Sequence, residues 1–362
     1  MSDGRRAVDS DKVWTTLITN LEYLPGLFTL NHSLVKSGSA YPLVALYTDS
    51  FPPSGLAALA RRGIPAQRIE YLLPTKGRDY SNDPRFYDCW SKLTPFSLTQ
   101  YSRVVQLDSD MLVLRNMDEL MTMELDDGDW AAENTPDVAI GGGGGTAAAA
   151  GGKRSGAAKR DVVSDDGYVS ASSDDDVAKN PSTRVFAAGH ACVCNPLRKP
   201  HYPADWVADN CAFSSQHARP DAAQTAGADP VTSSPLGFMN GGLQVVNPSK
   251  KLFEQIVRHM ERGAMDMDFA DQSLLSELYR GRWVALPYVY NALKTMRWQG
   301  VHDEIWRDAE VKNVHYILAP KPWDEIDEQG RWTGTDESHK WWVDMDRERR
   351  EGEAAKGVVD GF

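Results

Sequence analysis

The first third of the chain alternates between short apolar runs and segments with helical periodicity. The apolar runs predict β-strands at residues 13–19, 42–47, 68–72 and 103–107. Between them, apolar residues recur at near-helical spacing at 21–37, at 56–62 and within 86–101. This β-α-β-α-β order predicts a parallel sheet with helices on both faces. Ligands of such sheets bind at the carboxyl ends of the strands, where Asn20 and Asp108 both fall.

The regular pattern is interrupted in the middle of the chain. Residues 137–182 include five consecutive glycines at 141–145 and few residues that could build a core, which predicts a flexible insertion. The glycines do not indicate a phosphate-binding P-loop, because no convincing strand precedes them and no Gly-Lys-Ser or Gly-Lys-Thr follows to complete the motif. Later elements are a strand at 236–246, helices at 250–262 and 271–278, and a strand at 311–317. Residues 336–362 form a strongly charged tail, either a surface helix or disordered.

Composition and charge are typical of a soluble globular protein. The 362 residues are 41% hydrophobic and 25% charged, with a net charge of −12 that argues against nucleic acid as a partner. Residues 1–11 lack the apolar core of a signal peptide. No stretch approaches the roughly 20 apolar residues that span a bilayer. With only four cysteines, the sequence predicts a cytoplasmic protein without a membrane partner.

Asp108-Ser109-Asp110 is the most informative chemical feature of the sequence. It directly follows the apolar run at 103–107. Side chains at i and i+2 of an extended segment point the same way, so the two carboxylates would repel each other and resist desolvation. A divalent cation such as Mg²⁺ or Mn²⁺ that also holds a substrate diphosphate would remove both penalties. An acidic turn at the end of a strand is the alternative interpretation of the triplet alone.

Seven segments, taken in order, resemble one enzyme family. They are Leu17-Ile18-Thr19-Asn20 with Tyr23, Ser91-Lys92-Leu93 with Leu98-Thr99-Gln100-Tyr101, Asp108-Ser109-Asp110, Met239-Asn240-Gly241-Gly242, Asp268 with Asp271-Gln272, Leu286-Pro287-Tyr288-Val289-Tyr290-Asn291, and Val314-His315-Tyr316 with Lys321-Pro322-Trp323. Over roughly residues 13–323, interrupted by the insertion, the chain resembles the retaining glycosyltransferases of family 8, which include glycogenin and galactinol synthase. The resemblance implies an α/β GT-A fold, a Rossmann-like mixed sheet flanked by helices, in a single catalytic domain over residues 12–335.

The resemblance is nearer to the galactinol synthase branch. The segments 39–44 and 290–296 are similar to that branch. Leu318 stands where the glycogenin branch has a glycine, and no segment matches the self-glucosylated tyrosine region. The galactinol synthase branch implies a hexose transferred from UDP-galactose or UDP-glucose to a small polyol or sugar, with myo-inositol as the leading acceptor.

The resemblance also implies a role for each site residue. The implied Mn²⁺ ligands are Asp108, Asp110 and His315. The implied UDP-sugar contacts are Leu17, Thr19, Asn20, Tyr23, Arg85, Ser109, Asn240, Gly241, Gly242, Asp268 and Lys321. The implied catalytic group consists of Asp271, Gln272 and Lys92. Asp271 is the candidate nucleophile or ion-pair stabiliser, and the sequence does not choose between a covalent intermediate and same-face attack.

Two alternatives to a small-acceptor enzyme remain open at the level of sequence. One is a glycogenin-like protein that glucosylates itself or another protein. The other is an inactive UDP-sugar-binding module whose insertion docks a partner; the joint presence of Asp108, Asp110, His315 and Lys321 argues against it. The acceptor, the donor hexose and the oligomeric state, including a homodimer, also stay open.

The cysteines allow a separate hypothesis. Cys192, Cys194 and Cys211 lie near His190 and His201 in the sequence, which suggests zinc. The spacing lacks a Cys-x-x-Cys pair, so buried free thiols are the favoured interpretation and a structural zinc site is the alternative.

Overall fold

A computed structural model describes residues 4–81, 83–135 and 182–362 of the chain. The predicted insertion at 137–182, with its glycine run, lies outside the described residues except for Ser182. The strands are β1 (Lys12–Ile18), β2 (Leu43–Tyr47), β3 (Ala66–Arg68), β4 (Arg103–Leu107), β5 (Met111–Val113), β6 (Phe186–His190), β7 (Met239–Val246), β8 (Val284–Ala285), β9 (Ala292–Leu293) and β10 (Asn313–His315). The α-helices are α1 (Leu24–Lys36), α2 (Pro53–Arg61), α3 (Arg85–Cys89), α4 (Gly128–Glu133), α5 (Lys250–Gly263), α6 (Asp271–Leu278) and α7 (Glu337–Ala354).

A seven-stranded mixed sheet forms the centre of the molecule, in the order β3-β2-β1-β4-β7-β6-β8. Strands β3, β2, β1 and β4 are parallel, β7 runs antiparallel to both β4 and β6, and β8 is parallel to β6. Side chains alternate between the two faces, so that Val13 and Trp14 are buried in different apolar clusters on β1. The predicted α/β class with a mixed, Rossmann-like sheet is confirmed.

Strands β7 and β10 are shorter than predicted, and two other predicted elements differ in position or type. The third strand covers Ala66–Arg68 rather than 68–72, because its partner β2 ends at Tyr47, whose carbonyl accepts the last ladder bond from Ile69. The helix predicted within 86–101 is a short α3 followed by a 3₁₀ segment, Trp90–Ser97. Pro95 lies inside that segment and has no N–H to donate, which is unfavourable for a continuous α-helix.

A second, three-stranded sheet has the order β5-β10-β9. Strand β10 pairs antiparallel with β5 and parallel with β9. In this register His315 lies opposite Met111 of β5 on one side and opposite Leu293 of β9 on the other. The acidic triplet therefore lies in the turn that connects β4 of the large sheet with β5 of the small one. It does not continue an extended strand, as the sequence argument assumed, and the convergence of its carboxylates depends on the two sheets around it.

The charged tail contains the helix α7, which packs against α1. Trp342 is buried on it, and the buried carboxylate of Asp346 accepts a 2.8 Å hydrogen bond from the Thr29 hydroxyl of α1. The guanidinium of Arg349, also buried, donates to the same carboxylate at 2.6 and 2.9 Å. Of the two interpretations of this segment, the structure has the helix, with one face in the core. None of the helices in the described ranges has the length and apolar character needed to cross a membrane.

Replacing Thr29 by valine should lower the free energy of unfolding by about 1.5–3 kcal/mol, the range for a hydrogen bond to a charged group. The substitution keeps the shape of the side chain but removes the donor to Asp346. Urea denaturation measures the change. The control Thr122→Val lies on the surface, where we expect a change within about 0.5 kcal/mol. Equal stability of the two variants would argue against a stabilising bond between α1 and α7.

Candidate active site

One cleft gathers most of the residues that the sequence predicts for a site. It opens at the carboxyl ends of β1 and β4, where the parallel strands of the large sheet end. The predicted residues that line it are Leu17, Thr19, Asn20, Tyr23, Arg85, Lys92, Asp108, Ser109, Asp110, Asn240, Asp271, Gln272, His315 and Lys321.

Backbone hydrogen bonds hold the acidic turn between the two sheets. The Asp108 N–H donates to the Gly242 carbonyl of β7 at 2.8 Å, and the Tyr316 N–H donates to the Asp110 carbonyl at 2.9 Å. As a result, His315 Nε2 lies 3.3 Å from Asp110 Oδ1 and 3.6 Å from Asp108 Oδ2. One ligand atom from each of these three side chains lies within 4.8 Å of the others. The turn and β10 together make a compact group of metal-ligand type.

Two lysines neutralise the paired carboxylates. Lys92 Nζ lies 2.7 Å from both carboxylate oxygens of Asp108, and Lys321 Nζ forms a buried ion pair with Asp110. Burial alone would raise the pKa of the Asp110 carboxyl, but the charges of Lys321 and His315 hold it well below its usual range. A bound cation is therefore not the sole means of relieving the repulsion between the carboxylates, because the protein supplies two cations of its own.

Asn291 fixes the orientation of the His315 ring. Its Nδ2 donates to Asn240 Oδ1 at 2.8 Å, so its Oδ1 faces His315 Nδ1 at 3.0 Å and must accept from it. In the neutral ring that binds a metal, this proton on Nδ1 would leave the lone pair of Nε2 directed toward the two carboxylates. Asn291 belongs to one of the segments quoted above, but its role depends on contacts across three strands that no local pattern reveals.

The donor set fits a divalent cation. Two carboxylates and a neutral imidazole give oxygen and nitrogen ligands of the kind that Mn²⁺ accepts. Asp110 and His315 are buried, whereas Asp108 is partly exposed toward the cleft, so a bound ion would keep a face open to a ligand. These residues could therefore hold a metal ion that also contacts a substrate.

Gly242→Ala should weaken metal binding at this group. A Cβ at Gly242 would lie 2.3 Å from Cε1 and 2.7 Å from Nδ1 of His315, so the ring must move away from Asn291. Loss of an orienting contact of this kind typically costs about 10–100-fold in metal affinity. Titration of the purified protein with Mn²⁺, followed by calorimetry, measures the change. Unaltered affinity would mean that His315 is not a ligand or that its ring position is not critical.

Asp271 is buried at the start of α6, the helix that packs against β7. It is the first residue of the helix, and the preceding cap position belongs to Ala270, whose φ of 45° is unusual for a residue with a side chain. Burial raises the pKa of Asp271 to about 7, against the opposing charge of Lys92. A Cβ at Gly241 would lie 2.2 Å from Asp271 Oδ2, so only glycine admits this carboxylate.

Gln272 links α6 to β7. Its Oε1 accepts hydrogen bonds from the Gly241 N–H at 2.8 Å and from Asn240 Nδ2 at 3.1 Å. The structure thus brings together the predicted residues of 240–242 and 271–272. Gly241 and Gly242 lie behind the cleft surface and give room to Asp271 and His315 respectively.

Three predicted residues have other partners. Asp268 is not among the cleft-lining residues and forms a 2.7 Å ion pair with Arg78. Arg85 does line the cleft, but its guanidinium is half exposed and donates to Asp83 at 2.6 and 2.8 Å. The Tyr23 ring packs edge-on against Trp323, with Lys321 Nζ 5.7 Å from its centroid.

Lys294 lies beside the site but is not among the residues that the sequence predicts for it. Its buried ammonium donates to the Pro320 carbonyl at 2.7 Å and lies 3.1 Å from His339 Nε2. Burial, together with the charge of Lys321, lowers the pKa of Lys294 to about 8. Lys294 supports the loop that carries Lys321, and in that loop Leu318 takes a φ of 65°, the left-handed conformation that a glycine would favour.

Comparison with known proteins agrees with the resemblance. No family model matches the chain. The chain is 23% identical to galactinol synthase 1 of Arabidopsis thaliana over 97% of its own length and 84% of that protein. It is 25% identical to galactinol synthase 1 of Ajuga reptans, over 92% of this chain and 76% of that protein. It is 23% identical to galactinol synthase 2 of Solanum lycopersicum, over 98% of this chain and 87% of that protein.

Solved structures share the fold. The apo structure of the bifunctional glycosyltransferase WbbM aligns with 95% of this chain and 50% of its own length, at a TM-score of 0.52 and 13% identity. The structure of the glycosyltransferase GlyE of Streptococcus pneumoniae TIGR4 aligns with 96% of this chain and 65% of its own length, at a TM-score of 0.50 and 13% identity.

The solved structures give the chain a GT-A-type fold, and its similarity to galactinol synthases supports a glycosyltransferase. The resemblance to glycosyltransferase family 8, nearer its galactinol synthase branch, is confirmed by similarity to galactinol synthases along almost the whole chain.

Proposed function

We propose that this protein is a cytosolic, retaining hexosyltransferase that moves a hexose from UDP-galactose or UDP-glucose to a hydroxyl of myo-inositol or a similar small polyol. The observation that carries the proposal is the convergence, in one cleft, of Asp108, Asp110 and His315 with the buried carboxylate of Asp271. The similarity to galactinol synthases supports the choice of donor and acceptor.

The diphosphate of the donor would lie against the acidic turn. Mn²⁺ held by Asp108, Asp110 and His315 would supply Lewis-acid neutralisation of the departing UDP. Lys321 and Lys92 lie against the same two carboxylates and could transfer their hydrogen bonds to phosphate oxygens. Thr19, Asn20 and Tyr23, just beyond the end of β1, would hold the nucleoside.

The hexose would lie between β7 and α6. Asn240 and Gln272 present amide groups that suit sugar hydroxyls. Asp271 would face the anomeric carbon, where positive charge develops during transfer, and a buried carboxylate stabilises such charge strongly. In a double-displacement reaction Asp271 would be the nucleophile, and in same-face attack it would be the ion-pair partner.

An aromatic wall on the same cleft suits a ring-shaped acceptor. Trp206 stacks on Phe269 with centroids 4.5 Å apart, and Tyr202 packs edge-on against both. All three residues line the cleft. Apolar walls with a few convergent polar groups are typical of small-molecule sites.

A donor and acceptor screen tests the proposal. Purified protein with Mn²⁺ is incubated with UDP-galactose or UDP-glucose, with and without myo-inositol, and UDP release and product mass are measured. We expect UDP release that depends on myo-inositol and a product one hexose heavier than the acceptor. A ladder of hexose additions on the protein itself would favour the glycogenin-like alternative, and UDP binding without turnover of any acceptor would favour an inactive module. The variant Asp108→Ala serves as the inactive control.

A further inference from the structure

A second cluster of metal-ligating side chains lies beside the cleft. Cys192 and Cys194 follow β6, Cys211 belongs to the loop between β6 and β7, and His302 belongs to the loop between β9 and β10. His302 Nε2 lies 3.4 Å from the Sγ atom of Cys192 and 3.3 Å from those of Cys194 and Cys211. The four ligand atoms all lie within 4.8 Å of one another, and His302 and Cys211 are buried.

Hydrogen bonding alone does not account for this arrangement. A neutral imidazole nitrogen that lacks a proton has one lone pair and accepts one hydrogen bond, yet three thiol groups converge on it. A tetrahedral zinc ion with Zn–S of about 2.3 Å and Zn–N of about 2.0 Å would separate sulfur from nitrogen by about 3.5 Å. The observed separations of 3.3 and 3.4 Å are close to that value. A central cation would satisfy all four groups at once.

The surroundings of His302 support a ligand role. Its Nδ1 lies 2.9 Å from His217 Nε2, and His217 Nδ1 lies 3.4 Å from a carboxylate oxygen of Glu304. With protons on both Nδ1 atoms, Glu304 orients His217, and His217 orients His302 so that Nε2 faces the thiols. Relays of this kind fix the tautomer of histidines that bind metals.

We propose that Cys192, Cys194, Cys211 and His302 bind a structural Zn²⁺ ion. Three thiolates and one imidazole are a typical closed set for zinc, and four protein ligands leave no position for substrate. The site is separate from the acidic group and does not depend on the proposed transfer reaction.

The sequence favours free thiols and offers His190 and His201 as the nearby histidines, but both have other partners in the structure. His190 uses its Nε2 to contact the Ala228 carbonyl at 2.7 Å, and the ring of His201 packs against Tyr202. The fourth ligand, His302, follows Cys211 by 91 residues, so no local spacing could indicate it.

The zinc ion would join two connections, β6–β7 and β9–β10, and the first of them forms part of the cleft wall. Cys192 lines the cleft itself, and the chain that follows it carries Tyr202 and Trp206 of the aromatic wall. The segment has little regular secondary structure of its own, with short 3₁₀ turns at Ala208–Asn210 and Ser214–Gln216. A metal cross-link would provide the order that helices or strands do not.

Metal analysis of the full chain, purified without chelators, tests the proposal. We expect one zinc ion per chain by mass spectrometry, and X-ray absorption should report three sulfur neighbours at about 2.3 Å and one nitrogen at about 2.0 Å. Cys211→Ser and His302→Ala should each lower the zinc content at least tenfold. Cys89→Ser and His201→Ala, which change the same residue types outside the cluster, should retain it, as should Asp108→Ala.

Wild-type protein alone provides a second test in case the cluster variants fail to fold. Zinc should protect three of the four thiols from a thiol reagent until a chelator is added, and Co²⁺ exchange should produce thiolate-to-metal charge-transfer absorption. Protein without zinc but with reactive thiols would overturn the proposal, as would a disulfide, seen as two missing thiols after denaturation without reductant. Neither test uses transferase activity, so failure of the proposed function would leave this result unaffected.

Discussion

Asp110→Ala should abolish transfer and also destabilise the fold, whereas Asp108→Ala should abolish transfer with little loss of stability. Both variants remove a carboxylate that would hold the metal, and we expect kcat/KM to fall at least about 1,000-fold, since metal assistance is worth several kcal/mol. The stability effects differ because the two lysines differ. Lys321, with a side chain 7% exposed, has Asp110 as its carboxylate partner, and an uncompensated buried charge costs about 3–5 kcal/mol.

Lys92 does not lose its last partner in Asp108→Ala, because the carboxylate of Asp271 also acts on it. We therefore expect the free energy of unfolding to fall by at most about 1 kcal/mol, as for a partly exposed ion pair. Steady-state UDP release in Mn²⁺ and urea denaturation measure the two effects separately. The surface control Asp221→Ala should change neither. Activity within tenfold of the wild type in Asp108→Ala would contradict the role given to the acidic turn.

A double variant separates the charge effect from the catalytic effect. Asp110→Ala combined with Lys321→Met removes the unpaired cation together with its partner. It should recover more than half of the stability lost in Asp110→Ala, because replacing both members of a buried pair is often close to neutral. It should recover no activity. Equal free energies of unfolding for the single and double variants would show that the unpaired charge of Lys321 is not what destabilises Asp110→Ala.

The parts of this group have local signatures in the sequence. An apolar run that ends in carboxylates marks the end of β4, and the β-α-β pattern places that end beside Asn20. What the sequence does not predict is the pairing of charges. Lys92 and Lys321 reach the acidic turn from a 3₁₀ segment and from a loop after β10, and only the packed structure determines which carboxylate each one neutralises.

Features that depend on local signals are predicted correctly, whereas features that depend on contacts between distant residues are not. The helix α6 is predicted at its observed bounds, since its signals are local. By contrast, β3 is shorter than predicted because its length depends on where β2 ends, and the roles of Asn291 and His302 depend on residues far away in the chain. The sequence also does not predict backbone strain. Ala270, which precedes Asp271, and Leu318, in the loop that carries Lys321, both have positive φ angles.

Asp271→Asn should lower kcat by about 100–1,000-fold, the range for a group that stabilises charge in the transition state. The side chain keeps its shape and still fits beside Gly241, so we expect the KM for the donor to change little. In the wild type, kcat/KM should rise with pH through about 7, because the ionised form of Asp271 is the one that stabilises positive charge. The variant should lack that rise. The control Glu351→Gln, on the exposed side of α7, should keep the wild-type profile.

The same carboxyl also sets a pH dependence of stability, with a sign opposite to that of an ordinary paired aspartate. Its pKa is about 7 in the folded protein against an ordinary value of 3.8, so between these pH values the folded state holds a proton that the unfolded state has released. The stabilisation from the protonated form is complete below about pH 4 and is lost as pH rises through about 7. Over that interval the wild type should lose up to about 4 kcal/mol relative to Asp271→Asn. Urea denaturation at pH 4 and pH 8 without metal measures the difference, and a constant gap between the two proteins would mean that Asp271 is already ionised in the empty cleft.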